Sequence, residues 1–501
     1  MPNDAALTTL LQRAVALHQQ GRFDAASALY QQVLAADPRQ FDALHLSGVI
    51  ARQQGHPARA VALIEAAIAV APERANAHCN LGAALQDLGE TAAALASYEQ
   101  ALALDPRYAL AHANRGNTLR KLGRLAEAVA SYDAALALKP GYPEAACHRA
   151  IALHDMGRHA DALASAELAL RGRPAYADAL AARGNALQGL GRFALALADY
   201  EQALTLTPAR PELLGWRGGA LIKLQRVEEA LASFEASLAL RPDHAATLQL
   251  RANALRLLGR TAEAAVCYRE ALALGGNAEQ IGFALAALGQ AAAPSQAPPA
   301  YVKALFDQYA DHFDAHLVDG LAYRTPALIG AALARAQLAE ALDIIDLGCG
   351  TGLCAPLLRP LARRLCGVDL SPNMLAQAAQ RGLYDALDCA DIGDWLEGQP
   401  CSLDLIVAAD VLVYVGELDG LFAQARAAAR PNACFCFSVE TGGAPARSWA
   451  LAASSRYVHS LDYIENTAQG TGWRLIEATP ALLREDGGRA VEGLVVLLRA
   501  A

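Results

Sequence analysis

Residues 342–352 read LDIIDLGCGTG, and the fold of the second half of the chain turns on this stretch. Ala341–Leu347 is a short, mostly apolar run of strand length. Gly348, Gly350 and Gly352 then alternate with Cys349 and Thr351, which permits a tight turn and close approach of a ligand to the backbone. A helix after the loop adds the positive end of its dipole, so strand, glycine turn and helix make a nucleotide-type site. Further along, a second strand over Leu365–Leu370 carries Asp369, 21 residues beyond Gly348, a spacing that suits a ribose contact. A third strand near Ala386–Cys389 leads to Asp391-Ile392, and a fourth over Leu403–Ala409 ends in Asp410-Val411-Leu412-Val413-Tyr414. Upstream, 301–317 sets Tyr301, Leu305, Phe306, Tyr309 and Phe313 on one face of an amphipathic helix. Downstream come a helix over 418–429, a strand Cys434–Val439, and helices around 446–453 and 460–470. Trp473–Leu483 and Ala490–Leu498 form a closing hairpin turning at Gly487-Gly488.

Composition limits the rest. The 501 residues are 54% hydrophobic and 19% charged, enough for two or more packed domains and too apolar for general disorder. A net charge of -9 points away from a nucleic-acid partner. The ten cysteines contain no C-x-x-C pair, and Cys434 and Cys436 lack a neighbouring ligand cluster, so no metal is expected. The amino terminus lacks a signal-peptide pattern and no apolar run reaches membrane-spanning length, so no membrane insertion and a cytoplasmic location are expected.

The first half is periodic. Gly21, Gly55, Gly89, Gly123, Gly157 and Gly191 recur every 34 residues, with Gln225 and then Gly259 in the next slots. Pro38, Pro72, Pro106, Pro140, Pro174, Pro208 and Pro242 keep the same interval. So do the bulky positions Tyr30, Ile64, Tyr98, Tyr132, Tyr200, Phe234 and Tyr268, with Ala166 the exception, and the small positions Gly48, Gly82, Gly116, Ala150, Gly184, Gly218 and Ala252. The small residue lets two helices approach, the glycine ends the first helix, and the proline stops the second. Arg115, Arg149, Arg183, Arg217 and Arg251 also recur, and are expected to lie over neighbouring helices and pair with acids such as Glu127 or Glu263. Residues 279–289 suit a capping helix, and 291–300 (AAAPSQAPPA) suit a fairly stiff linker that leaves the domain angle restricted but not fixed.

Two resemblances follow. The 34-residue pattern resembles tetratricopeptide repeats, with units at 7–40, 41–74, 75–108, 109–142, 143–176, 177–210, 211–244 and 245–278. The runs LDIIDLGCGTG, GVDLSPNMLAQA, DCADI and DLIVAADVLVYVG resemble class I S-adenosylmethionine-dependent methyltransferases, close to the ubiquinone- and biotin-biosynthesis enzymes. Together with FDQYADHFDAHL, SSRYVHSLDYI and LLREDGGRAVEGLVVLLR, the chain is similar to a bacterial family of repeat-containing methyltransferases. The resemblance implies an all-α repeat solenoid over 7–278, a cap and linker over 279–300, and over 301–501 an α/β Rossmann-like methyltransferase domain with a seven-stranded mixed sheet. The closing antiparallel pair suits that sheet better than a nicotinamide-dinucleotide fold.

The same resemblance assigns roles. Gly348, Cys349, Gly350 and Gly352 wrap the methionine part of the cofactor, S-adenosyl-L-methionine. Asp346 orders the loop or receives the cofactor's amino group through water; a plain turn cap is the alternative. Asp369 takes the ribose hydroxyls and Leu370 packs on adenine. Asp391 accepts from the adenine amino group beside Ile392, or caps a helix running to Trp395. Asp410 and Val411 line the methionine side, and Met374 is core or pocket wall. Candidates for the acceptor side are Tyr309, Tyr323, Tyr414, Arg456, Tyr457 and His459, with Glu440 a further pocket-facing residue. His459 serves as general base or hydrogen-bonds a loop, and Arg456 holds a substrate carboxylate. The family's groove positions map to Asn80, Asn114, Asn117, Arg120, Lys121, Asn185, Gln188, Lys223, Asn253 and Arg256, a set suited to a protein or peptide of some acidic character or else to a solvated face. The expected function is methyl transfer to a protein or peptide recruited by the repeats. The alternatives are a small-molecule methyltransferase and a non-catalytic cofactor-binding adaptor. Oligomeric state is not legible.

Overall fold

Each 34-residue period folds as two antiparallel helices, and a left-handed residue makes the corner. At Gly123 (φ 74°) the amide of Arg124 reaches Leu119 O at 2.9 Å and that of Gly123 reaches Arg120 O at 3.0 Å, the paired bonds of a Schellman end. Gln225 takes the same conformation at φ 60° with the same two bonds, so one corner keeps its shape without glycine. The computed structural model describes residues 2–307, 314, 323–486 and 489–501. By contacts the chain divides into two units, Met1–Pro242 and Asp243–Ala501.

In the first unit, helices from Pro2–Gln19 to Val227–Leu240 alternate as hairpins. The small and bulky positions of each period meet face to face. A Cβ added to Gly116 would lie 2.6 Å from the Tyr132 ring, one on Gly184 2.6 Å from Tyr200, and one on Gly218 2.4 Å from Phe234. The hairpin with Ala166 in the bulky slot carries Ala150 opposite, and both are fully buried. In that hairpin two alanines meet where the others set a small residue against a larger side chain.

The registered arginines bear out the structural reading, with different partners from those expected. Arg115 donates to Ser131 Oγ at 2.8 Å and to Glu99 at 3.4 Å, Arg149 pairs with Asp133 at 2.6 Å, and Arg183 holds Asp199 through two bonds of 2.6 and 2.8 Å. Arg217 reaches Ser233 Oγ at 2.8 Å. The acids lie 16 residues before or after each arginine, on the second helix of the preceding or the same hairpin. Glu127 is taken by Arg124 and Glu263 by Arg260, each three residues upstream at the helix start.

The second unit begins with the hairpin Ala245–Leu257 and Thr261–Ala273 and the helix Ala278–Ala287. Its sheet has strands β1 (Leu342–Leu347), β2 (Ala362–Asp369), β3 (Ala386–Cys389), β4 (Leu403–Ala408), β5 (Ala429–Glu440), β6 (Trp449–Leu451), β7 (Tyr457–His459), β8 (Trp473–Asp486) and β9 (Arg489–Ala500). Seven form the expected mixed sheet in the order β3-β2-β1-β4-β5-β9-β8, in which β9 alone runs antiparallel to the rest. The short pair β6-β7 joins the end of β5 through Val458 and Glu440. Strand order reverses between β1 and β4, which places a crevice at their carboxyl ends.

Two expectations are corrected here. The segment around 446–453 contains β6 and no helix: Trp449 pairs with His459 and packs its ring edge-on to Tyr457, so cross-strand aromatic packing wins over helical spacing. A helix follows the glycine loop as expected, over Ala355–Leu358, and stops before Pro360, which has no amide proton to extend it. The stretch 291–300 is no free linker. Ala297 N–H donates to Tyr414 O at 2.8 Å, and Gly416 and Glu417 N–H donate to Ser295 O at 2.8 and 2.9 Å. The amphipathic helix begins at Pro299 and is described to Asp307; Tyr309, Phe313 and the Gly487-Gly488 turn lie outside the described residues.

The close approach inside each hairpin is testable. Gly116→Ala is expected to cost about 1–3 kcal/mol by overpacking against Tyr132, read as a lower urea midpoint. In a Tyr132→Ala background the same change is expected to be nearly neutral, and an equal cost in both backgrounds would contradict the packing account.

Candidate active site

The carboxyl ends of β1, β2 and β4 open on a cavity of about 630 Å³. Gly348, Gly350 and Gly352 have φ of 61°, 54° and 83°, so the loop coils through left-handed backbone at every second residue. A Cβ on Gly348 would meet Val411 at 2.4 Å, which explains why the β1 loop and the residues after β4 come together only over glycine. Gly348, Cys349 and Gly350 line the cavity together with Asp346, Asp369, Leu370, Asp391, Ile392, Asp410 and Val411. Gly352 does not reach its wall; it sits against Tyr384 and Arg381.

Each acid is held. Asp369 accepts from Gly350 N–H at 2.9 Å through Oδ2 and from Ser371 N–H at 2.8 Å through Oδ1, so the end of β2 braces the glycine loop. Asp346 is buried and accepts from Tyr384 Oη at 2.6 Å, which replaces the plain turn cap. Burial pushes its pKa up to about 7 against the stabilising hydrogen bond from Tyr384. Asp391 caps the helix Ile392–Glu397 by accepting from Gly393 N–H at 2.8 Å, and also faces the cavity. Asp394 and Glu417 add two more acids to the wall. A site with glycine backbone at its floor and so many carboxylates fits a ligand carrying a sulfonium and an ammonium.

The other end of the cavity is built on a buried charge cluster. Arg484, 2% exposed on β8, donates to Asp410 Oδ2 at 3.0 Å and to Glu440 Oε1. Arg456 donates to the same Glu440 oxygen at 3.1 Å. Asp410 also accepts from Ser438 Oγ at 2.9 Å and holds φ at 57°. Arg456 and Arg484 both line the cavity, as do Tyr323 and Tyr414, whose hydroxyls are raised in pKa by burial. Glu440 is not on the wall but lies against the two arginines.

His459 is corrected as a general base. It is fully buried on β7 and absent from the cavity wall; its Nε2 is 3.1 Å from Gly416 O and its ring stacks on Tyr463. Burial lowers its pKa to about 4, so it holds a loop. Tyr457 likewise leaves the site and donates to Pro294 O at 2.8 Å, and Met374 is core. Sequence reasoning missed Arg484, which follows the apolar run Ala481-Leu482-Leu483 and is masked by the charges Glu485 and Asp486 beside it. It also missed Ser295, Gln296, Ala297 and Pro299, which a proline-rich composition disguised as linker, and Val302 on the helix that follows.

Most of the supposed groove residues are occupied inside the repeats. Tyr132, Tyr200 and Tyr268 donate their hydroxyls to Asn117, Asn185 and Asn253. Gln188 also accepts from Tyr200, at 3.3 Å. Asn80 bonds His45 at 2.8 Å and Asn114 donates to Cys79 Sγ at 3.9 Å. Arg120 lies 4.0 Å from Asp155, and Arg256 donates to Ala453 O at 2.9 Å. Lys121 and Lys223 are exposed. No helix is long and apolar enough to cross a membrane among the described residues.

Comparison with known proteins agrees with both halves. The tetratricopeptide repeat model matches residues 11–75, 47–85, 79–143, 147–211, 181–245 and 217–279, and a methyltransferase domain model matches 345–435. Trans-aconitate 2-methyltransferase of Delftia acidovorans is 40% identical over 99 residues, covering 18% of this chain and 37% of that protein. Methyltransferase-like protein 27 of Homo sapiens is 40% identical over 91 residues, with the same 18% and 37% coverage. The chain thus spans little more than a third of the curated relatives it matches. A solved tetratricopeptide repeat protein from Parabacteroides merdae is 19% identical with a TM-score of 0.41, covering 48% of this chain and 95% of that one.

Asp346 yields a pH prediction. Its folded pKa of about 7 exceeds the ordinary 3.8, so between those values the folded state holds more protons than the unfolded state and stability falls as pH rises. A bound ammonium group selects the carboxylate. Affinity for S-adenosylhomocysteine, measured calorimetrically, is therefore expected to rise from about pH 6 to about pH 8, and Asp346→Asn to flatten that slope. A wild-type affinity that falls over this range would contradict it.

Proposed function

The chain belongs to the tetratricopeptide-repeat proteins and carries a class I S-adenosylmethionine-dependent methyltransferase domain, and from that premise we propose that it methylates a carboxylate-bearing acceptor, presented by a protein or peptide that the repeats recruit. The observation that carries this reading is the placing of two arginine side chains, Arg456 and Arg484, on the wall of the cavity that holds the glycine loop. S-adenosylmethionine supplies, when bound, an electrophilic methyl group on a sulfonium.

The chain's own residues then divide the work. Gly348, Cys349 and Gly350 receive the methionine portion, with Asp346 toward its ammonium and Asp410 and Val411 on its far side. Asp369 receives the ribose hydroxyls, Leu370 and Ile392 flank adenine, and Asp391 accepts from its amino group with the oxygen its helix cap leaves open. Arg456 and Arg484, held by Glu440 and Asp410, make the cationic side of the wall toward which a carboxylate acceptor would turn. A carboxylate is already ionised at neutral pH, so alignment and exclusion of water suffice and no proton has to be removed. Tyr323 and Tyr414 shape that end of the cavity.

A second reading takes a free small acid as acceptor, with the repeats serving assembly. It is favoured by relatives named trans-aconitate 2-methyltransferase.

The experiment supplies methyl-labelled S-adenosylmethionine to the full chain with host lysate or with trans-aconitate as the small-acid probe. Label released as methanol by mild alkali marks a methyl ester, and its carrier, protein or small molecule, decides between the readings. Arg456→Gln is expected to lower acceptor kcat/KM about 10- to 100-fold with S-adenosylhomocysteine affinity unchanged. Label that resists alkali would sink the carboxylate acceptor, and absence of transfer would leave an adaptor that only binds the cofactor.

A further inference from the structure

The segment 294–299 is the largest departure from what its composition suggests. Gln296 forms an antiparallel bridge with Val415. Ser295 O accepts two amides, from Gly416 and Glu417, and Ala297 N–H donates to Tyr414 O. These bonds fasten the chain to the loop that follows β4. That loop supplies Val411, Tyr414, Val415 and Glu417 to the cavity wall, and the segment itself adds Ser295, Gln296, Ala297 and Pro299.

The segment is anchored on its other side by the helix Ala278–Ala287. Phe283 of that helix packs its ring 5.1 Å from Tyr301 and 6.3 Å from Tyr457. Tyr457 Oη donates to Pro294 O at 2.8 Å. Phe283, Ala297, Val413, Tyr414 and Tyr457 form one buried cluster. The last repeat hairpin is tied in by Arg256, which donates to Ala453 O between β6 and β7.

We infer that residues 294–297 are a positioning strap for methyl transfer, which holds the Val411–Glu417 loop in its ligand-binding shape and makes that shape depend on the capping helix of the repeats. This rests on the reading of the cavity as an S-adenosylmethionine site. The strap acts through backbone bonds: an extended edge satisfies the amides of Gly416 and Glu417, and without it the loop has two fewer fixed donors. Val411 then loses the support that keeps it against Gly348. Besides standing on the wall, Ser295 and Ala297 act through the loop, and in that role they are positioning residues.

The test uses the full chain and S-adenosylhomocysteine as probe, by calorimetry, with thermal melting alongside. Ala297→Pro deletes the donor to Tyr414 O and is expected to weaken binding about tenfold. Tyr457→Phe keeps the ring in its cluster and removes only the bond to Pro294 O; it is expected to weaken binding about threefold with a fall of only a few degrees in melting temperature. Hydrogen exchange at the Gly416 and Glu417 amides is expected to quicken in both variants, a readout that general destabilisation would spread over the whole sheet. If Ala297→Pro does not fold, Tyr457→Phe decides. Wild-type binding matched by Tyr457→Phe, with exchange at both amides unchanged, overturns the strap alone. Failure of the wild-type chain to bind overturns the reading of the cavity and the strap's role with it.

Discussion

A guanidinium with 2% of its surface exposed needs charged partners, and the catalytic unit is arranged around supplying them to Arg484. The arginine stands on β8, at the far edge of the sheet order, yet its partners Asp410 and Glu440 follow β4 and end β5. Breaking such a buried pair by removing one partner is costly, about 3–5 kcal/mol in general. The cluster therefore fixes how the closing hairpin lies over the carboxyl ends of the central strands. It also accounts for the unusual backbone of Asp410, held at φ 57° by bonds to Arg484 and Ser438 together. The residues that face the cavity on this side, Arg456, Arg484 and Asp410, are oriented by one another before any ligand enters.

What was legible in the sequence was local. The strand–glycine–acid spacing of 342–352 and Asp369 reports bonds between near neighbours, and the structure places Asp369 against Gly350 as such spacing implies. The 34-residue period was legible because each period folds against its own helical partner. What was not legible depended on distant pairing. Arg484 meets Asp410 across 74 residues and Tyr457 meets Pro294 across 163, separations over which no periodicity carries a signal. His459 shows the limit in reverse. A histidine, with an ordinary pKa near neutrality, reads as a base, but along the extended chain Arg456 and His459 stand three residues apart and so on opposite faces, which buries the histidine under Gly416.

The repeats make a related point about resemblance. Asparagines at the family's groove positions invite a recognition role, but Asn117 and Asn185 take the hydroxyls of Tyr132 and Tyr200 at 2.7 Å. A tyrosine whose ring fills the hairpin against a glycine must end on a polar partner, because a buried hydroxyl left unpaired is costly. The asparagine, the glycine and the tyrosine are thus one packing device. Lys121 and Lys223 stand outside that device.

The cavity's charge is divided along its length, and the division bears on its chemistry. Asp346, Asp369, Asp391 and Asp394 lie toward the glycine loop, whereas Arg456 and Arg484 lie toward the closing hairpin with their paired acids. A cation and an anion that join into neutral products lose solvation need as they react, so a site that withdraws both from water favours the products over the reactants. The same withdrawal strengthens the attraction that aligns them. For such a pair, walls that exclude solvent do more than a proton-transferring side chain would. That agrees with a cavity whose wall includes Ser295, Gln296 and Ala297 and from which His459 is turned away to hold Gly416.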